Sequence, residues 1–189
     1  MKFALCVGHS RSIHGQPDGG AVSWDGHENE WTFNNDLALL VADKLSARGL
    51  ESFILNRYDG DSYPAAMAWM AKQIDAAGCN AGIELHFNDA EPPAHGHEVL
   101  CCQGSVKGKI FGAFIDQRTN ANFGNADRGV HELGPDDRGY AAVHDPAAVM
   151  LIYEPGFGSN REDWAMMTSR ADDIAESIAE GCQDYAMNA

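Results

Sequence analysis

The chain has 189 residues, 44% of them hydrophobic and 22% charged, which describes one soluble domain able to bury a real core and leaves little room for a second. Thirteen lysines and arginines against 28 aspartates and glutamates give a net charge of −15. That balance argues against nucleic acid as a partner, because the electrostatic term that dominates such binding would be repulsive.

The opening apolar run, Lys2 to Val7, reads as a buried strand ending at Gly8-His9. It is too short for a signal-peptide core, and no stretch approaches the roughly 18 to 20 apolar residues of a membrane span. The expectation is therefore a protein made in the cytoplasm without an export signal. Five cysteines, Cys6, Cys79, Cys101, Cys102 and Cys182, form no C-x-x-C pair; they read as reduced, buried thiols, in keeping with that compartment.

A polar loop containing Pro17, Gly19, Gly20 and Gly26 follows. From about Glu30, apolar residues at Leu37, Leu40, Val41 and Leu45 carry helical spacing up to Arg48-Gly49, a basic residue and a glycine suited to a helix end. Ser52–Leu55 reads as a strand, Tyr63–Ala77 as a helix, and Ala81–Phe87 as a strand. Glu98–Cys101 reads as another strand, and Val106 to about Asn120 as a helix with Ile110 and Phe114 inward. The segment from Ala121 to Pro146, rich in Gly, Asp and Asn, reads as a long surface loop bordering a site. Val149–Tyr153 is a last strand, and one helix runs from about Glu162 to Tyr185. Strands alternating with helices predict a single α/β domain over residues 1–189, a mostly parallel twisted sheet covered by helices on both faces.

In such sheets ligands bind beyond the carboxyl ends of the strands. His9 ends the first strand, His86 lies near the end of the third, Glu154 ends the run Val149–Tyr153, and Glu30 begins the helix after the first strand. Two imidazoles and one carboxylate with an open fourth position make a catalytic zinc set, and a further carboxylate serves as acid or base. A carboxylate at the end of so apolar a run is costly unless paired. The remaining histidines carry no such pattern: His95 and His97 alternate along a loop-to-strand segment and read as solvated residues, with a substrate contact as the alternative, and His27, His131 and His144 read as loop positions. Trp24, Trp31 and Tyr140 suit packing on sugar or peptide, with Trp31 also placed for a core role. Asp136-Asp137 reads as a solvated loop and Met166-Met167 as core packing.

The segments Gly8-His9-Ser10, Gly20-Ala21 and Glu30-Trp31-Thr32-Phe33-Asn34 resemble those of the zinc-dependent N-acetylmuramoyl-L-alanine amidases of type 3, phage and prophage versions especially. Glu84-Leu85-His86-Phe87-Asn88, Gly96-His97-Glu98, Arg128-Gly129-Val130 and Glu154-Pro155-Gly156-Phe157-Gly158-Ser159-Asn160 extend the resemblance in order over residues 2 to 165. It implies Zn2+ held by His9, Glu30 and His86, with Glu154 as the catalytic glutamate. His14 competes with His9, and Glu28 with Glu30; His9 is preferred because it ends a strand, and Glu30 because the helix counts forward from it. Departures are Ser10-Arg11 in place of a glycine pair and Glu84 in place of a serine or threonine. Glu84 shares a strand face with His86, which suits either a partner that orients a ligand or a polar edge residue.

The resemblance implies hydrolysis of the amide between N-acetylmuramic acid and L-alanine in peptidoglycan, by an endolysin-like monomer released to the cell wall. Alternatives on the same residues are a zinc peptidase or deacylase acting on another small amide, and a non-catalytic wall-binding module.

Overall fold

In a computed structural model of the chain, the described residues are 1–10, 12, 13, 16–91 and 93–189, with the backbone alone for 12, 13, 16 and 17. His14, the competing histidine, lies outside them. The elements in chain order are β1 (Lys2–Val7), β2 (Ser12–Ile13), β3 (Gln16–Pro17), α1 (Glu30–Ala47), β4 (Glu51–Leu55), α2 (Tyr63–Ala76) and β5 (Ala81–Leu85). They continue with β6 (His97–Cys102), α3 (Val106–Asn122), β7 (Asp127–Leu133), α4 (Tyr140–His144), β8 (Val149–Glu154), α5 (Arg161–Ser169) and α6 (Ala171–Asn188). Six strands form one sheet in the order β4-β1-β5-β8-β6-β7, and β2 pairs with β3 in a small separate ribbon. Every neighbour in the large sheet is parallel except β6 with β8, as the mostly parallel α/β expectation requires.

Alternation along the strands sorts side chains to two faces. Phe3, Leu5 and Val7 of β1, Ile83 and Leu85 of β5, Leu151 and Tyr153 of β8, and Val99 and Cys101 of β6 pack under α1, α3 and α6. Ala4, Cys6, Met150 and Ile152 point the other way, under Met67, Met70 and Ile74 of α2 and Val143 of α4. Truncating a fully buried residue such as Leu151 or Ile83 to alanine costs about 2–5 kcal/mol. Helix starts are fixed locally. Asn29 caps α1 by accepting from Thr32 N at 3.0 Å, and Ser62 caps α2 ahead of Pro64 in its first turn. The five cysteines are all free; Cys6, Cys101 and Cys182 are buried as expected, whereas Cys79 and Cys102 are only partly buried.

Four expectations need correction. The segment from Ala121 to Pro146 is no plain loop, since it holds β7 and α4; β7 is an edge strand whose half-exposed residues lack an apolar alternation. The last helix is two. The chain breaks at Arg170 (φ −128°, ψ 28°), whose guanidinium donates to the carbonyls of Asn122 and Phe123 at the end of α3. On α3 the inward face is Phe111 and Ile115, so Ile110 is exposed and Phe114 only half-buried. Gly108 and Gly112 let the helix approach the sheet closely, since a Cβ at Gly112 would come within 2.9 Å of Val130 Cγ1. Finally, His97 is fully buried rather than solvated, because it begins β6 on the face shared with Val99 and Cys101.

Candidate metal centre and catalytic cleft

The carboxyl edge of β1 and β5 builds the first part of the site. Gly8 continues the ladder by donating to Leu85 O at 2.9 Å, and the His86 ring lies against it: a Cβ there would meet His86 Cε1 at 2.3 Å. His9 follows at φ 57°, the one non-glycine residue with positive φ among the described residues. Such a conformation costs of order 1–3 kcal/mol and persists where surroundings enforce it. Gly20, at φ +71°, passes so close that a Cβ would come within 2.7 Å of both Glu30 Oε2 and the His9 ring.

The loop before α1 is tied to the helix it introduces. Glu30 N donates to Ala21 O at 2.9 Å and Trp31 N to Gly19 O at 3.1 Å. Glu30 is thereby buried in the first turn, where the helix N-terminus favours a carboxylate. Glu28 stays in the loop, outside the cluster.

Three ligand atoms converge. One donor atom from each of His9, Glu30 and His86 lies within 4.8 Å of the others. His86 Nδ1 is 2.7 Å from Glu30 Oε1, and His9 Nε2 is 3.3 Å from Glu30 Oε2. Each ring's second nitrogen meets a further carboxylate: His9 Nδ1 faces Asp18 Oδ1 at 3.3 Å, and His86 Nε2 faces Glu84 Oε1 at 3.4 Å. Glu84 in turn accepts from the Tyr58 hydroxyl at 2.6 Å. Each Glu30 oxygen also accepts a backbone N–H, Oε1 from Phe87 and Oε2 from Ala21. Histidine ligands whose second nitrogen is anchored by a carboxylate are the usual construction of a metal site.

Charge in this cluster calls for a cation. Burial acts to raise the Glu30 pKa, but the hydrogen bond and charge of His86, the charge of His9 and the Ala21 N–H outweigh it, and the carboxyl sits below its usual range. Burial alone would depress His86, yet Glu30 and Glu84 push it up to about 10. The protein thus holds a proton among these acids where a dication also fits, and metal binding would displace it. Two imidazoles, one carboxylate and anchored outer atoms fit zinc.

Glu154, the last residue of β8, is half-buried with its Oε2 enclosed and without a partner. Burial first, then the neighbouring charges of Glu98 and Glu30, push its carboxyl up to about 8 against the opposing pull of His86. Glu98 is pinned by Asn88 Nδ2 at 2.5 Å and Arg128 Nε at 2.8 Å. His9, Glu30, Glu84, His86, Glu98 and Glu154 all line one cleft of about 730 Å³. The four residues marked in the sequence are therefore brought together.

Over residues 4–184 the chain matches the N-acetylmuramoyl-L-alanine amidase family. It belongs to that family. No curated protein matches its sequence significantly. Among solved structures, the amidase resembles CwlD of Clostridioides difficile, solved with the GerS lipoprotein, at a TM-score of 0.84 and 19% identity over 100% of this chain and 99% of that one. It resembles the catalytic domain of CwlV from Bacillus (Paenibacillus) polymyxa var. colistinus at 0.81 and 21%, over 99% of each chain. The catalytic domain of the CD27L endolysin targeting Clostridia difficile gives 0.80 and 23%, over 97% of each. At these identities the likeness establishes the amidase fold.

The amidase's other sequence-marked residues divide by location. Trp24 is exposed beneath the Arg161 guanidinium, Trp31 packs against the core with Nε1 donating to Asn56 O, and Tyr140 stacks on His144. None of the three is among the cleft-lining residues. His27 and His95 are exposed as expected. His131 and His144 are exposed too, although they sit in β7 and α4 rather than in loops. Asp136-Asp137 is solvated, Met167 is buried and Met166 packs against the core. Sequence reasoning assigned no role to Tyr58, Asn88, Glu98 or Arg138, all of which line the cleft. The first three follow strand ends or begin the reversed strand, so a full account of the sheet edge would have found them. Arg138 and Gly139 come from the segment read as a loop bordering the site.

Proposed function

We propose that this amidase is a zinc-dependent peptidoglycan hydrolase that cleaves the amide between N-acetylmuramic acid and L-alanine of the stem peptide. The observation that carries the reading is the convergence of His9, Glu30 and His86 in the cleft that also holds the unpartnered Oε2 of Glu154. His9, Glu30 and His86 would hold the metal, and Asp18 and Glu84 would orient the two rings. Zinc in such a set supplies Lewis acidity, polarising an amide carbonyl and making water nucleophilic near neutral pH.

The chain's own residues do the rest. Glu154 Oε2 takes a proton from the attacking water and returns it to the departing amine nitrogen. Its carboxyl starts high, so positive charge gathered at the ligand set brings it toward neutrality, the range in which one group both accepts and returns a proton. Glu98 stays fixed by Asn88 and Arg128, so Glu154 is backed by a charge that does not move. The acidic lining favours an amine that leaves as a cation.

Mass spectrometry of muropeptides from purified sacculi tests the reading. The expected products are glycan strands without stems and peptides with a free L-alanine amine, formed only by metal-loaded protein. Stems left on the glycan by zinc-loaded protein overturn the substrate assignment. We also read the biological setting as lysis from within, by a protein made in the cytoplasm; the likeness to an endolysin catalytic domain supports this. Lysis of producing cells only when the inner membrane is permeabilised is the expected result.

A further inference from the structure

Behind the cleft, on the α3 face of the sheet, a second group of metal-type donors meets. His97 Nε2 at the start of β6, a carboxylate oxygen of Asp116 on α3 and one of Asp127 at the start of β7 lie within 4.8 Å of one another. His97 Nε2 is 3.3 Å from Asp116 Oδ1 and 3.9 Å from Asp127 Oδ1. The side chain of His97 is fully buried, and both its Nε2 and Asp116 Oδ1 are enclosed without a hydrogen-bond partner. Buried polar atoms left in this state are costly, and here two of them face each other.

The surroundings fix which atoms are free. Asn125 Nδ2 donates to Pro155 O at 2.7 Å, which settles the amide's orientation and turns its Oδ1 to His97 Nδ1 at 2.6 Å. His97 Nδ1 therefore carries a proton, and Nε2 is turned toward two carboxylates. Asn120 Nδ2 reaches Asp127 Oδ2 at 2.9 Å and Asp116 Oδ2 at 3.5 Å. The outer oxygens are occupied and the inner pair is left pointing at the imidazole. A histidine whose other nitrogen donates to an oxygen, beside carboxylates held by their outer atoms, is the arrangement that surrounds bound metals. The 3.3 Å separation of Nε2 from Asp116 Oδ1 also equals the edge, about 3.3 Å, of a tetrahedron with ligand distances of about 2.0 Å. Asp127 is partly exposed, so water can complete the shell and a metal can enter.

We propose that His97, Asp116 and Asp127 form a second divalent-metal site that takes zinc or a cation of similar character and serves structure rather than catalysis. The three ligands join β6, α3 and β7. The site clamps the residue beside Glu98, whose own side chain points to the opposite face and into the cleft.

The test is zinc content by elemental mass spectrometry after stripping, reloading with excess zinc and desalting. Two zincs per wild-type chain are expected, one in Asp127→Asn or Asp116→Asn, one in His9→Ala, and none in His9→Ala combined with Asp127→Asn. Asp127→Asn is nearly isosteric at a partly exposed position, so a fold change does not confound it. Wild-type protein that holds one zinc, lost with His9→Ala, overturns the proposal, as does zinc content unchanged in Asp116→Asn/Asp127→Asn. One zinc that survives His9→Ala and disappears with Asp127→Asn supports the second site while overturning the catalytic one. As an independent readout, the His97 ring in zinc-loaded His9→Ala should show no protonation of Nε2 by nitrogen NMR near neutral pH; an imidazolium there overturns the proposal.

Discussion

Glu98 and Glu154 stand directly opposite each other in the antiparallel β6–β8 pair. Like charges in that position destabilise a sheet, and the pair persists because Glu154 keeps a proton, its carboxyl pushed up to about 8 by burial and by Glu98. In the metal-free protein this has a thermodynamic consequence. Above the ordinary glutamate pKa of 4.5 the unfolded chain has released a proton that the folded chain retains. Folding stability from this group is therefore fully present at low pH and declines as pH rises from there to about 8. Urea unfolding of stripped protein across that range should show the decline, and Glu154→Gln should flatten it. An equal slope in the variant counts against a proton retained on Glu154.

Turnover and metal should separate by residue. Glu154→Gln is expected to lower kcat by about 10²–10⁴ fold while zinc content stays at the wild-type value. His9→Ala and His86→Ala are expected to lose the catalytic zinc and activity together. Assays of the purified variants alongside elemental analysis check both, and full activity in Glu154→Gln would sink the assignment of the proton carrier.

Glu84 touches His86 from behind the ligand set, and Tyr58 holds Glu84. Glu84→Gln should weaken zinc at the catalytic site by about 10–100 fold, and Tyr58→Phe should weaken it less. Competition against a chromophoric chelator measures both. Since neither residue is a proposed ligand, saturating zinc should restore much of the lost activity.

Much of this was legible in the chain. Each strand of the central sheet from Lys2 to Leu85 announced itself by an apolar run, and α1 by apolar residues at helical spacing that end at Arg48-Gly49. His9, Glu30, His86 and Glu154 could be placed in one cleft from the sequence because strand ends and helix starts are where an α/β sheet gathers its ligands. What failed to show was structure stabilised from outside itself. Strand β7 has no buried alternation of its own, and the break at Arg170 is held by carbonyls some 47 residues earlier in the chain. His97 looked like a loop residue because its strand begins one position before the apolar pattern does. The reversed direction of β6, which sets Glu98 against Glu154, is a pairing that one sequence does not display.

The strained backbone at His9 suggests a stability experiment. Glycine adopts φ 57° freely, so His9→Gly relieves a conformational cost of order 1–3 kcal/mol and adds unfolded-state entropy of about 0.4–1 kcal/mol in the other direction. Stripped His9→Gly should be at least as stable as stripped wild type by urea unfolding. A loss above about 2 kcal/mol would show that the ring's packing, rather than the metal, keeps His9 in that conformation.

Strand β8 occupies the middle of the sheet although it is the last of the six to be synthesised. Before residues 149–154 emerge, β4, β1 and β5 can pair among themselves, and so can β6 and β7, but nothing joins the two groups. The nascent chain thus carries two half-sheets with facing unpaired edges, each prone to pairing with strangers. Closing them waits on contacts between distant parts of the chain, the slow kind. The same closing step delivers Glu154, so the cleft gains this carboxylate at the moment the two half-sheets become one core.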